Sequence, residues 1–144
     1  MISQLLIGSF VVSITVVVEA AFIGGAIWAL IRVGPWLAVP PHTYKTVLAL
    51  IGVTLWLIAA LSVSVWIWAG TYIGLGAFTA LEPALYFSVV AFTTLGFGDL
   101  ILAEPWRLLS GISAANGLIL FGLSTAFLVE FFGQLKKAQE GTKY

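Results

Sequence analysis

A glycine-spaced segment two thirds of the way along the chain holds the residues best suited to chemistry. It reads TTLGFGDL over residues 93–100 and follows directly on an apolar run. Glycine adopts left-handed backbone conformations without a side-chain clash, so glycines at alternate positions allow successive carbonyl oxygens to point toward one axis. Stacked carbonyl oxygens, with a threonine hydroxyl below them, can replace the water shell of a cation. The segment therefore predicts a cation site built largely from backbone.

The composition of the chain excludes most other chemistries. Of its 144 residues, 61% are hydrophobic and only 8% are charged, whereas soluble domains carry about 25% charged residues. Six basic and six acidic residues cancel, which leaves no basic face for nucleic acid. With no cysteine and one histidine, the chain lacks the side chains for thiol chemistry and the usual zinc sites. We expect a membrane protein that is not an enzyme and uses no cofactor, nucleic acid or small-molecule substrate.

Three apolar runs are long enough to cross a lipid bilayer, which takes about 20 helical residues. They extend from Leu5 to Val33, from Thr46 to about Gly70, and from Pro105 to about Leu135. The first run is longer than the apolar part of a signal peptide and no basic residue precedes it, so we interpret it as a membrane span. The glycine and proline at positions 34 and 35 predict that this helix ends there. An interfacial loop is then expected as far as Lys45.

A fourth apolar segment, from Ala84 to Thr93, is too short to cross the bilayer. Its position between two spans predicts a re-entrant helix. Pro83 suits the first position of that helix, and Thr79 with Glu82 offers an alternative capping box. The irregular backbone that follows must be buried in protein or line a wet cavity, because its polar groups find no partners in lipid.

The basic residues predict how the chain is oriented. Arg32 and Lys45 flank the first loop, and Lys136, Lys137 and Lys143 follow the last span. Basic residues are enriched on the cytoplasmic side of membrane proteins. We therefore expect a multi-pass protein of the cell membrane with its N-terminus outside and its C-terminus in the cytoplasm.

The sequence TLGFGD at residues 94–99 resembles the selectivity filter of the tetrameric potassium channel family, in its bacterial pore-module form, whose signature is TVGYG, often followed by D. The resemblance extends from about Lys45 to Phe132. It implies an all-α integral membrane protein with the pore-loop potassium channel fold: three transmembrane helices and a re-entrant pore helix per chain, assembled as a homotetramer. It also implies an extra N-terminal transmembrane helix at 1–34 and a pore module at 35–144.

The function implied by the resemblance is passive, selective conduction of K⁺ across a membrane. The permeant ion would bind to the carbonyl oxygens of four filter residues and to one threonine hydroxyl. The filter residues are Thr94, which also supplies the hydroxyl, Leu95, Gly96 and Phe97, followed by Gly98.

The resemblance also assigns the residues that support the filter, and here the sequence departs from the family. The family's filter tyrosine is Phe97, and the pair of pore-helix tryptophans is Tyr86 and Phe87. In the family, the filter hydroxyl bonds one of these indoles, whereas here both positions are apolar, so no buried polar group is left without a partner. We therefore expect Phe87 to pack on Phe97. Tyr86 keeps a hydroxyl, which we expect to reach Asp99. The acidic residue behind the filter in some members is Val90 here. A weakly selective cation channel is therefore an alternative to a K⁺-selective one.

On the same alignment, Gly117 occupies the usual hinge position of the inner helix. A close-packing contact is an equally weighted interpretation of this glycine. The resemblance implies that Leu118, Phe121, Thr125 and Val129 face the central cavity or the inner gate.

Three ionisable residues are candidates for pH sensing. Glu19 lies near the middle of the first span, where a charge is costly, and the favoured interpretation is a protonated carboxyl that bonds Ser62 or Ser64 of the second span. A proton sensor is the alternative. His42 and Glu130 are expected near the cytoplasmic face, as ordinary surface groups or, alternatively, as groups that make opening sensitive to cytoplasmic pH.

One further function competes with conduction. The chain is a candidate for a non-conducting auxiliary subunit that assembles with a longer channel. A coupled transporter is disfavoured, because alternating access usually relies on internal repeats that this sequence lacks.

Overall fold

The computed structural model describes residues 2–140, which form four α-helices joined by short segments. In hydrocarbon every backbone N–H and C=O must be satisfied internally, so uninterrupted apolar runs become helices. Three of these helices are long and apolar enough to cross a membrane, and the short one is not. The predicted all-α architecture, with three spans and one short helix, is confirmed. The helices are α1 (Ile2–Ala38), α2 (His42–Gly74), α3 (Leu81–Phe92) and α4 (Arg107–Glu140), with a 3₁₀ turn at Glu104–Trp106 before α4.

The first helix is longer than the sequence predicts. Gly34 and Pro35 lie inside α1, which continues to Ala38, so the expected break and the boundary between 1–34 and 35–144 fall within the helix. Pro35 is tolerated because it lies in the last turn of α1. Its missing N–H removes one backbone hydrogen bond there, close to the carbonyls that have no partner within the helix. The expected interfacial loop is reduced to residues 39–41.

Lys45 belongs to α2 and closes this short connection. The residue is only 4% exposed, and its Nζ donates to the carbonyl oxygens of Trp36 and Val39, both at 2.8 Å. A cation at a helix C-terminus satisfies carbonyls that have no partner within the helix. The lysine therefore ties the end of α1 to the start of α2.

The helix ends show that α1 and α4 run parallel to each other. At one end, the backbone N–H of Leu108 donates to Gln4 Oε1 at 3.1 Å. At the other end, Gln139 Nε2 donates to the carbonyl oxygen of Leu37 at 3.3 Å and to Thr46 Oγ1 at 3.0 Å. The helix α2 runs antiparallel to both, and the three spans form one bundle.

The short helix α3 is held against α2 by a buried hydrogen bond and aromatic contacts. Ser88 Oγ donates to the carbonyl oxygen of Val65 at 2.7 Å. The ring of Phe87 meets Tyr72 edge-on, with centroids 5.2 Å apart, and lies 5.4 Å from the ring of Phe78. These contacts fix the direction in which the end of α3 points.

The start of α3 differs from both sequence expectations. The helix begins at Leu81 and its N-cap, Ala80, makes no side-chain cap hydrogen bond. Pro83 is therefore the third helical residue and not the first, and the alternative box of Thr79 with Glu82 does not cap the helix. A proline is accepted throughout the first turn because the N–H that it lacks would have no partner in the helix.

Candidate functional site

The segment after α3 alternates in backbone handedness. The φ angles of Thr94, Gly96 and Gly98 are +61°, +57° and +79°, while Leu95 and Phe97 between them are outside the left-handed region. Both glycines have the conformation that their spacing predicts. The left-handed Thr94 is not anticipated by sequence reasoning, because β-branched residues rarely take a positive φ. Such conformations persist where the surroundings over-determine them, and they cluster at functional sites.

The amide groups of this segment point back to the end of α3. The N–H of Thr94 donates to the carbonyl of Ala91 at 3.0 Å, and those of Leu95 and Gly96 donate to the carbonyl of Val90 at 3.0 and 3.4 Å. Val90 is buried, and its backbone carbonyl accepts two of these hydrogen bonds. These bonds also satisfy helix-terminal carbonyls that would otherwise lack partners.

The carbonyl oxygens of the segment are left unpaired. Within residues 2–140, the carbonyls of residues 94–97 accept no hydrogen bond. Four successive backbone oxygens without partners are a set of hard ligands for a cation. They lie in an exposed segment of the single chain, which therefore offers these oxygens from one side only. Among the described residues, no cluster of His, Cys, Asp or Glu side chains forms an alternative metal site.

The outer end of the segment is held by a hydrogen bond between side chains. The hydroxyl of Tyr86 donates to Asp99 Oδ2 at 2.7 Å, which is the contact expected from the sequence. This hydrogen bond lowers the pKa of the Asp99 carboxyl below its ordinary value, more than partial desolvation raises it. Because the folded pKa is depressed, the stabilising effect is present at neutral pH and is lost only as the pH falls into the acid range below about 4.

Replacing Tyr86 by Phe is expected to raise the pKa of Asp99 toward that of a free aspartate, because the donor to its carboxylate is lost. NMR titration of the labelled Asp99 carboxyl in the purified protein measures the shift. Tyr44→Phe is the matched control, since Tyr44 is exposed on α2 and makes no hydrogen bond to a carboxylate within the described residues. An Asp99 titration curve that is the same in Tyr86→Phe and the unmodified protein would contradict the assignment.

The predicted packing of Phe87 on Phe97 is wrong within the single chain. Phe87 is 6% exposed and turns toward α2, where Tyr72 and Phe78 surround it. Phe97 is 66% exposed. The face of α3 that carries Phe87 and Ser88 packs on α2, and Phe87 also lines a cavity together with Thr94, Gly96 and Gly98.

Gly117 packs directly against the end of α3. A Cβ atom at this position would lie 1.9 Å from the carbonyl oxygen of Phe92, the last residue of α3. The structure thus shows the close-packing role, and α4 passes through this glycine without interruption. The hinge interpretation stays a prediction.

The remaining inner-helix candidates share one face of α4. Leu118, Phe121, Thr125 and Val129 are all exposed in the single chain, whereas Gly117, Leu120 and Ser124 on another face of the helix are buried. The ring of Phe121 lies 6.0 Å from that of Phe92, and the Thr125 hydroxyl donates to the carbonyl of Phe121 at 2.8 Å. The contact with Phe92 places the Phe121 ring beside the end of α3, from which the segment at 94–98 follows.

Glu19 is fully buried between α1 and α4. Ser124 Oγ donates to its Oε1 at 2.5 Å, and its Oε2 has no partner among the described residues. The predicted partners, Ser62 and Ser64, are wrong, because each donates to a carbonyl of its own helix. Counting residues from the ends of a span predicts how deep a side chain lies in the membrane, but it does not predict which neighbouring helix the side chain faces.

A second polar contact between the same helices is one that sequence reasoning missed. Asn116 Nδ2 donates to Thr15 Oγ1 at 2.8 Å, and both residues are buried. The sequence contains a signal for this contact, because Thr15 and Asn116 are polar residues at similar depth in two apolar runs. The contacts of Asn116 and Ser124 lie on either side of Gly117, so α1 is attached to the part of α4 that packs on the end of α3.

We expect Glu19→Gln to fold and assemble as the unmodified protein does, because glutamine keeps the oxygen that accepts from Ser124 without carrying a charge. Glu19→Ala is expected to lower the free energy of unfolding by about 1–3 kcal/mol, since it leaves the Ser124 hydroxyl buried without a partner. Thermal unfolding of the detergent-purified protein measures both. Ser62→Ala is the control and should change little. A Gln variant as unstable as the Ala variant would show that the charged carboxylate is required.

The structure does not bring His42 and Glu130 together. His42 is the first residue of α2, and its Nδ1 is buried with no partner among the described residues. Glu130 accepts a hydrogen bond from Gln134 Nε2 of its own helix at 2.9 Å. Sensing of pH by these residues stays a prediction. Lys143, part of the orientation argument, lies outside the described residues.

The sequence also matches known proteins over the region that contains the candidate cation site. The profile of a family described as "Ion channel" matches residues 58–134, more than half of the chain. The chain belongs to this ion channel family. The matched residues include part of α2, all of α3, the segment at 93–98 and most of α4.

A second match is to the human voltage-gated potassium channel regulatory subunit KCNG3. The two sequences are 31% identical over 58 residues, which is 40% of this chain and 13% of that protein. No solved structure matches the chain. The family, this similarity and the three spans confirm that the chain is a membrane protein with the predicted pore-loop potassium channel fold.

Proposed function

We propose that the chain forms a potassium-selective channel that conducts K⁺ passively through a filter at residues 94–98. The observation that carries the proposal is the alternating backbone at Thr94, Gly96 and Gly98 together with the unpaired carbonyls of residues 94–97. Carbonyl oxygens at fixed positions substitute for the hydration shell of an ion that passes in single file. Such conduction uses K⁺ as the permeant ion and needs no cofactor.

The filter is completed by four copies of the chain in a homotetramer. A single chain offers carbonyls from one side only, and a ring of ligands requires a symmetric assembly. The exposed filter segment supports this assembly, because the carbonyls of residues 94–97 accept no hydrogen bond within residues 2–140 and unpaired backbone groups cannot be left facing lipid.

The chain is oriented with its N-terminus outside and its C-terminus in the cytoplasm. The parallel arrangement of α1 and α4 places Arg32, Lys45, Lys136 and Lys137 at the same end of the bundle. An excess of basic residues at one end is typical of the cytoplasmic side. The filter then opens toward the outside, near Asp99.

Two alternatives have observations in their favour. A weakly selective cation channel is favoured by Phe97, whose exposed ring has no supporting contact with Phe87. A non-conducting auxiliary subunit is favoured by the similarity to a protein named as a regulatory subunit.

Ion flux through the purified chain in liposomes separates these functions. Flux that follows a K⁺ gradient and not an equal Na⁺ gradient is the expected result. Comparable Na⁺ flux would favour the weakly selective channel. An absence of flux, combined with the mass of a monomer in detergent and formation of a larger complex only with another channel subunit, would favour the auxiliary role.

A further inference from the structure

An apolar groove runs between α1 and α2 at the end of the bundle where these helices are connected. Its volume is about 570 Å³, within the range of roughly 300–1,000 Å³ for small-molecule sites. Every described residue that lines it is apolar or glycine. The residues on which the argument rests are Trp28 and Trp36 of α1, Leu48, Gly52 and Trp56 of α2, and Phe131 of α4.

The walls of the groove are held in place by contacts between the helices. Trp56 Nε1 donates to the carbonyl oxygen of Phe22 at 2.8 Å, and the rings of these two residues lie 4.8 Å apart. Gly25 allows this approach, since a Cβ there would come within 3.1 Å of the Trp56 ring. The groove is therefore a preformed feature and not a gap that collapses by rotation of one side chain.

The groove lies on the side of α4 away from the proposed pore. Phe131 forms its floor, while Val129, two residues earlier, points about 160° away around the helix. The opening lies between α1 and α2, so it faces the surrounding lipid. The molecules that surround this opening in a membrane are the acyl chains of lipids.

Two basic side chains lie over tryptophan rings that line the groove. The Arg32 guanidinium lies 4.6 Å from the centroid of the Trp28 ring, and Lys45 Nζ lies 4.5 Å from that of Trp36. Lys45 is occupied by two backbone carbonyls, but Arg32 is exposed and makes no ion pair within residues 2–140. Arginine binds phosphate through several parallel N–H groups, and tryptophan rings are enriched at the level of lipid headgroups.

We propose that this groove binds an anionic phospholipid, with one acyl chain between α1 and α2 and the headgroup phosphate paired with Arg32. The apolar lining favours the acyl chain of the lipid. The Arg32 guanidinium, which makes no ion pair among the described residues, favours the negative charge of the headgroup. No acidic residue among those described lines the groove to oppose that charge. The site does not depend on ion conduction, so its test and the flux experiment can fail separately.

Native mass spectrometry of the purified full chain tests the headgroup contact. Phosphatidylglycerol and phosphatidylcholine with identical acyl chains are titrated in detergent, and we expect tighter binding of phosphatidylglycerol. Arg32→Gln should weaken phosphatidylglycerol binding roughly tenfold, as expected for loss of a charge-assisted hydrogen bond, and weaken phosphatidylcholine binding less, because its choline already neutralises the same phosphate. Arg107→Gln is the matched control at the opposite end of the bundle, where Arg107 is exposed.

Filling the groove tests the position of the acyl chain. Gly52→Leu places a side chain in the groove where a Cβ meets nothing within 4 Å, and should weaken binding of both lipids. Gly70→Leu is the matched control, because Gly70 is on the same helix, outside the groove and equally free of neighbours. Circular dichroism and thermal unfolding establish that all four variants fold.

Three outcomes would overturn the proposal. Equal affinity for both lipids, or an unchanged affinity for phosphatidylglycerol in Arg32→Gln, would contradict the proposed contact between Arg32 and the headgroup. Unchanged binding in Gly52→Leu would place the lipid elsewhere on the surface. A change in oligomeric state in Gly52→Leu, without a change in lipid binding, would show that a second protein copy occupies the groove.

Discussion

Gly117→Ala is expected to lose about 3 kcal/mol or more of the free energy of unfolding, the upper part of the range for overpacked cores. The added Cβ would lie 1.9 Å from the carbonyl oxygen of Phe92 and 2.8 Å from its carbonyl carbon. These are backbone atoms at the end of α3, so no side-chain rotation relieves the overlap. Either α4 moves away from α3 or the last turn of α3 unwinds.

Chemical unfolding of the detergent-purified protein, followed by circular dichroism, measures this loss. Gly133→Ala is the matched control on the same helix, because a Cβ there meets nothing within 4 Å, and alanine is favoured over glycine in a helix by about 1 kcal/mol. A Gly117→Ala protein that is as stable as Gly133→Ala but gates differently would favour the hinge interpretation over close packing.

Gly96→Ala is expected to abolish K⁺ flux while the chain still folds. Gly96 has a φ of +57°, and a Cβ there meets nothing within 4 Å in the single chain. The penalty is therefore conformational: a left-handed alanine costs about 1–2 kcal/mol per residue, and a symmetric filter would carry it in each chain. Relaxation to a negative φ would turn the carbonyl at this position away from the ion path.

A second glycine offers a control with the same backbone requirement. Gly76, just beyond the end of α2, has a φ of +68°, and a Cβ at this position would also meet no atom within 4 Å. Gly76→Ala should show a similar loss of stability but retain K⁺ flux in liposomes. Equal flux in Gly96→Ala and the unmodified protein would contradict the proposed filter, whereas equal loss in both variants would point to a general defect in folding.

Features that depend on nearby residues were predictable from the amino-acid sequence. The three spans follow from apolar length, because hydrocarbon forces the backbone to bond to itself. The left-handed conformations at Gly96 and Gly98 follow from glycine at alternate positions. The contact of Tyr86 with Asp99 was also expected, because the resemblance to the potassium channel family aligns Tyr86 with a pore-helix residue that supports the filter.

Features that depend on which helices meet were decided by the tertiary structure. The faces of α1 and α4 that pack together set the contacts of Glu19 with Ser124 and of Thr15 with Asn116, and no spacing within one helix specifies its neighbour. The left-handed Thr94 runs against its own preference, and the hydrogen bond from its N–H to the end of α3 helps to hold it there. Apolar length and glycine spacing are local properties, whereas a contact between distant helices exists only once the bundle has formed.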